Sequence, residues 1–136
     1  MAMAEKKNKK ILVVDDSETH LDITEVMLQD LFDITLASSG EEALNMLMNG
    51  YIPNLVMLDI VMPEMDGWEA YNRIRAISFL NDVPIVFVTS STGDDVKRRA
   101  FELGAADFIQ KPLDRDDTIV RIRSILGIRK DADNND

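Results

Sequence analysis

The amino-acid sequence predicts an α/β fold: a doubly wound parallel sheet of five strands, ordered 2-1-3-4-5, with five helices on its two faces. Three observations carry that expectation. Short apolar runs alternate with stretches of helical period along the chain, the pattern of βαβ units with right-handed crossovers. The run Leu55-Val56-Met57-Leu58 is apolar at four consecutive positions without polar alternation, as a strand buried on both faces requires. It leads straight into Asp59, at the carboxyl end of the strand, where open sheets of this kind gather their ligands.

Taken in order, residues 10–14 form a first apolar strand that ends in Asp15-Asp16, and Ser17 is placed to cap the helix that follows. In that helix Ile23, Met27 and Leu31 recur at i, i+4 and i+8 beside Leu28, which predicts one buried stripe. Residues 34–37 are a second strand. Ser39 with Glu42 makes a capping box for a helix carrying Ala43, Leu44, Leu47 and Met48, stopped by Gly50. After the third strand, the turn from Met62 to Gly67 leads to a helix capped by Asp66 and Glu69, with Ala70, Ile74 and Ile77 inward. Pro84 opens a fourth strand, residues 85–88, followed by the hydroxyl-rich segment Thr89-Ser90-Ser91-Thr92-Gly93. A fourth helix runs over 94–103 to Gly104. Residues 106–109 are a short fifth strand closed by Lys111-Pro112, and Asp114 caps a last helix with Ile119, Ile122, Ile125 and Leu126 inward.

The totals bound what such a chain does. With 136 residues there is room for one domain, expected over 10–127 between a basic arm at 1–9, read as mobile, and a polar tail or truncated linker at 128–136. No apolar run reaches the roughly 18 residues of a membrane span, and no secretory leader is visible, so a soluble, cytoplasmic protein is expected. Zero cysteines exclude disulfides and thiolate metal sites. The 25 acidic against 15 basic side chains give a net charge of -10, which disfavours direct nucleic-acid binding and favours a cationic partner surface or a divalent metal.

The polar residues at the strand ends converge. In the order 2-1-3-4-5 the first and third strands are neighbours, so Asp15, Asp16 and Asp59 gather at one edge, with Thr89 ending the fourth strand and Lys111 following the fifth. Taken singly, each has an ordinary reading: Asp15-Asp16 as a helix start, Asp59 as a loop cap, Thr89 as a strand residue and Lys111 as a solvated cation. Together, three close carboxylates need compensation, which a lysine and a hard divalent cation supply. Mg2+ suits such a site because it takes one or two carboxylates and leaves room for a phosphoryl oxygen.

At this point the chain resembles a response-regulator receiver domain of the chemotaxis-regulator type, the phosphoacceptor of two-component signalling. The resemblance rests on ILVVDDS at 11–17, LVMLDIVMPEMDG at 55–67, PIVFVTS at 84–90 and ELGAADFIQKP at 102–112. It implies a flavodoxin-like fold and a phosphoprotein that takes its phosphoryl group on Asp59 from a sensor histidine kinase or a histidine phosphotransfer protein. It further implies Mg2+ bound directly by Asp16, largely through water by Asp15, and also by Asp59 and the Val61 carbonyl. Lys111 and Thr89 would contact the phosphoryl oxygens. Thr89 and Phe108 would form the switch, a cis Lys111-Pro112 bond would fix the lysine's approach, and the surface over helix four, strand five and helix five would meet a downstream protein. The expected role is that of a phosphoacceptor supporting its own phosphotransfer and dephosphorylation, not of an enzyme, and no output domain is expected in this chain.

The chain departs from the family pattern at two places. Val61 offers no side chain to hydrogen-bond an attacking water, which implies slower phosphate loss, and Phe108 lacks the hydroxyl of the commoner tyrosine. Val61 also denies an aspartyl phosphatase its usual second carboxylate, and Asp15-Asp16 would repel the phosphate of a flavin nucleotide. The rival reading is a receiver-fold interaction module that acts without phosphorylation. His20 reads as an exposed helix residue, Trp68 as packing, and Asp107 with Arg121 and Arg123 as solvated charges or contacts in a weak dimer.

Overall fold

The computed structural model describes residues 8–91 and 93–127. Residues 1–7 of the expected basic arm, Thr92 and the expected tail at 128–136 lie outside the described residues. The elements run β1 (Lys10–Val14), α1 (Glu18–Leu28), β2 (Asp33–Ala37), α2 (Gly40–Met48), β3 (Leu55–Asp59), α3 (Gly67–Arg75), a 3-10 turn (Ser78–Leu80), β4 (Ile85–Thr89), α4 (Asp94–Leu103), β5 (Asp107–Gln110) and α5 (Arg115–Leu126). All strand pairs are parallel and the order is β2-β1-β3-β4-β5. Among the described residues no helix is long and apolar enough to cross a membrane.

Alternation along the strands divides the core into two layers. Leu12, Val14, Val56, Leu58, Ile85 and Phe87 face α2, α3 and α4, where Ala43, Leu47, Ala70, Tyr71, Ile74 and Ala100 meet them. Ile11, Val13, Leu55, Met57, Val86 and Val88 face α1 and α5, through Leu21, Leu28, Ile119 and Ile122. Every residue of β3 and β4 is buried. This is why those strands read as unbroken apolar runs.

Helix starts follow the sequence closely. Ser17, Ser39, Asp66 and Asp114 each accept the backbone N–H three residues on. Glu42 closes its capping box one residue early, accepting from Ser38 N at 2.7 Å. The bounds of four strands differ by one residue: β2 begins at Asp33, β3 and β4 extend to Asp59 and Thr89, and β5 covers Asp107–Gln110 in place of 106–109.

The buried stripes need more correction. In α1 the inward residues are Leu21, Thr24 and Leu28, continued by Phe32, while Ile23 is 53% exposed. A stripe drawn through Ile23 and Met27 is a quarter-turn or more out of phase, because Thr24 fills a core position with a short polar side chain. Its hydroxyl donates to the His20 carbonyl at 2.8 Å, so no polar group is left unpaired there. Met48 of α2 is exposed. Ile77 lies beyond the end of α3, whose inward face carries Tyr71 instead, and Ile125 and Leu126 of α5 are only half-buried.

One contact positions the site above all. Gly67 opens α3, and its N–H donates to the Ile60 carbonyl at 2.8 Å. A Cβ there would stand 2.6 Å from Ile60 Cα and closer still to the Asp59 carbonyl oxygen. The neighbours are backbone and cannot swing away. Gly67→Ala is therefore expected to lower unfolding stability by about 1–3 kcal/mol, as overpacking does. Urea unfolding measures it, and an unchanged midpoint would contradict this packing.

Candidate functional site

The register of the sheet brings the polar strand ends level. Val14 pairs with Leu58, so Asp15 and Asp59, each one residue on, emerge side by side. Asp59 pairs with Val88, which sets Thr89 one step further along β4, and Gln110 pairs with Thr89, so Lys111 follows directly. Backbone bonds continue past the strands: Asp15 N donates to Ala37 O at 3.1 Å and Lys111 N to Thr89 O at 2.8 Å. The Lys111–Pro112 bond is cis, in agreement with the expectation.

Asp15, Asp16 and Asp59 each offer a carboxylate oxygen, and these oxygens lie within 4.8 Å of one another. Asp15 and Asp59 are 5% and 6% exposed, whereas Asp16 faces solvent. The Lys111 ammonium lies 2.6 Å from Asp15 Oδ2 and 3.3 Å from Asp59 Oδ2. The other oxygens are held by nearby backbone: Asp15 Oδ1 accepts from Ser17 N at 2.9 Å and Asp59 Oδ1 from Val61 N at 3.3 Å. One ammonium does not balance three carboxylates. The surplus negative charge and an all-oxygen donor set suit a hard dication rather than a soft one.

Burial raises the Asp59 pKa above its ordinary value. The Lys111 charge works against that rise, and the neighbouring Asp15 reinforces it.

The remaining expected site residues take definite places. Thr89 is fully buried, and its hydroxyl oxygen accepts from Ser91 N at 3.3 Å, which leaves its own O–H to donate. Phe108 is half-buried against the first core layer, paired in register with Phe87. The Val61 side chain is 65% exposed at the mouth of the site. Trp68 packs, as expected: its ring lies 4.9 Å from that of Phe87, and the Arg99 guanidinium stacks 4.3 Å above it. Asp107 and Arg121 pair with each other at 2.9 Å, and Arg121 also bonds Asp117 at 2.8 Å.

His20 was missed. Its side chain is half-exposed, yet Nδ1 lies 3.1 Å from Lys111 Nζ and 3.7 Å from Asp15 Oδ2. The signal lay in the spacing: His20 is the third residue of α1, and a first-turn side chain reaches back over the strand end that precedes it.

Comparison with known proteins agrees with this geometry. The family described as "Response regulator receiver domain" matches residues 11–123. A probable cyclic di-GMP phosphodiesterase of Vibrio cholerae is 37% identical over 113 residues, covering 83% of this chain and 25% of the relative. A probable transcriptional regulator of Porphyridium aerugineum is 38% identical over 121 residues, covering 88% of this chain and 49% of the relative. The chain thus spans half or less of these relatives' length. Among solved structures, the chemotaxis protein CheY4 of Vibrio cholerae superposes with a TM-score of 0.80 at 26% identity, over 86% of this chain and 98% of that one. A CheY-like receiver domain protein of Methanospirillum hungatei gives 0.79 at 27% identity, over 88% and 94%.

The raised Asp59 pKa has a consequence for stability. The native state holds its proton more tightly than the unfolded chain does, so the ionised carboxylate costs stability above the native pKa. That cost disappears as pH falls below the unfolded value. In chelator-treated protein, Asp59→Asn is expected to raise the thermal midpoint at neutral pH, with the gain shrinking toward zero through the acidic carboxylate range. Melting curves across pH measure it; a mutant less stable than wild type at neutral pH would contradict the balance of charges described.

Proposed function

The chain belongs to the response-regulator receiver domain family, and from that premise we propose that it accepts a phosphoryl group on Asp59 from the phosphohistidine of a sensor kinase or of a histidine phosphotransfer protein. The observation that carries this reading is a carboxylate only 6% exposed, held at a strand end between an ammonium and two further carboxylates. In the transfer an Asp59 oxygen bonds to phosphorus as the phosphorus–nitrogen bond breaks, and the electron pair returns to the donor imidazole. A carboxylate is a weak nucleophile, so the site works by alignment and by neutralising charge on the transferring group. Lys111 takes phosphoryl oxygens, its ammonium already 3.3 Å from Asp59. Thr89 turns its O–H toward them.

Asp16, Asp15, Asp59 and the Val61 carbonyl are the groups that would hold Mg2+, with Asp15 acting largely through water. The bound ion would supply further neutralisation of the phosphoryl charge. Hydrolysis of the acyl phosphate returns Asp59 to its free state and ends the signal.

Switching follows from the same contacts. A phosphoryl group that draws the Thr89 hydroxyl away from Ser91 N favours whichever state leaves Phe108 room to pack inward, and only contacts that differ between the states shift their balance. The surface read by a downstream protein, or by a domain joined to this one, is that of α4, β5 and α5. The setting is cytoplasmic signalling, with a monomer or a weak phosphorylation-dependent dimer.

The test is intact mass after incubation with a small acyl phosphate, with and without Mg2+, for wild type and Asp59→Asn. One phosphoryl addition is expected, dependent on Mg2+ and absent from the mutant. No addition under any condition would overturn this reading in favour of an interaction module that acts unphosphorylated.

A further inference from the structure

The Lys111 ammonium has three N–H donors and three acceptors around it: Asp15 Oδ2 at 2.6 Å, His20 Nδ1 at 3.1 Å and Asp59 Oδ2 at 3.3 Å. An ammonium cannot accept, so the imidazole nitrogen facing it must be the bare one, and the ring proton sits on Nε2. Asp15 Oδ2, at 3.7 Å from the same ring nitrogen, is too far to be the imidazole's partner. The backbone of His20 is fixed from both sides, since its N–H donates to Ser17 Oγ at 3.3 Å and its carbonyl accepts from Thr24 Oγ1 at 2.8 Å. The ring is therefore carried to Lys111 by the first turn of α1.

We propose that His20 is a positioning residue for the phosphoryl-transfer site: its Nδ1 accepts the third N–H of Lys111 and orients the ammonium toward Asp59. The inference rests on the receiver chemistry proposed above and adds a residue to it. Two acceptors, Asp15 and His20, fix Nζ, and the remaining N–H is directed at Asp59 Oδ2. When Asp59 carries a phosphoryl group, that one N–H turns to a phosphoryl oxygen while the other two stay in place. Asp15 is also wanted as a cation ligand, so its hold on the ammonium is shared. His20 is not among the groups that would hold the cation, so its hold on the ammonium is not shared in that way. Preorganisation of this kind lowers the reorganisation that accompanies reaction.

Two measurements on the full chain test it. Nitrogen-15 spectra of the imidazole at mildly alkaline pH are expected to show a bare Nδ1 and a protonated Nε2, with the Nδ1 signal moving in Lys111→Met. Phosphorylation by a small acyl phosphate at saturating Mg2+ is expected to slow about three- to tenfold in His20→Ala, the loss of roughly one hydrogen bond to a charged group. His20→Asn should recover most of the rate, because its Oδ1 stands where Nδ1 stood. In a Lys111→Met background His20→Ala should add nothing, the signature of a residue acting through the lysine. A protonated Nδ1, an unchanged rate in His20→Ala, or an equal loss in the Lys111→Met background would each overturn the proposal. A wild type that takes no phosphoryl group would overturn the receiver chemistry instead, and the imidazole spectrum would still decide whether His20 holds Lys111.

Discussion

The structure depends on one ammonium shared between two buried carboxylates. Lys111 reaches Asp15 at 2.6 Å and Asp59 at 3.3 Å, across 96 and 52 residues of chain. Acidic groups so close repel one another, and burial makes each charge more costly still. The lysine offsets part of that cost, and the raised pKa of Asp59 is the part left over. On the proposed reading, a site left short of positive charge would bind a dication and, with it, stabilise the charge that develops on a transferring phosphoryl group. In that reading the imbalance that weakens the fold is also what would make the edge reactive. It is tolerable because the sheet beneath is rigid, with β3 and β4 buried throughout.

The route from this edge to the outer surface is short. Phe87 on β4 lies between the site and α3: it meets Trp68 at 4.9 Å and Tyr71 at 5.4 Å, and it pairs with Phe108 on β5. Tyr71 donates to the Leu103 carbonyl at the end of α4 at 2.8 Å, and Arg99 of α4 stacks on Trp68. Apart from these ties α4 is lightly held. It buries Ala100 and leaves Phe101 45% and Leu103 36% exposed. An element with so little buried apolar area is the one a small change beneath it can shift. On the proposed reading the aromatic contacts would supply the lever, and the light packing of α4 the freedom to move.

Much of this was legible in the sequence because the signals were local. Capping residues at Ser17, Ser39, Asp66 and Asp114 located four helix starts, and the apolar runs located all the strands to within a residue. The meeting of Asp15, Asp16 and Asp59 followed from strand order, since neighbouring parallel strands must deliver their carboxyl ends together. Helix phase was less legible. In α1 a threonine holds a core position and an isoleucine an exposed one, so hydrophobicity alone pointed to the wrong face. Tyr71 escaped notice because its apolar ring is buried while its hydroxyl still needs the Leu103 carbonyl, a partner set by tertiary packing. His20 was hidden for the same reason: its partner is 91 residues away.

The central claim is that Asp59, and no other carboxylate of the cluster, is the group that becomes covalently modified. Borohydride reduction of the phosphorylated protein converts an aspartyl phosphate to homoserine, and peptide mass mapping then reads the position. Homoserine at 59, with Asp15 and Asp16 intact, is the result predicted. Reduction at 15 or 16, or at a carboxylate outside the cluster, would contradict the assignment of Asp59 as the nucleophile.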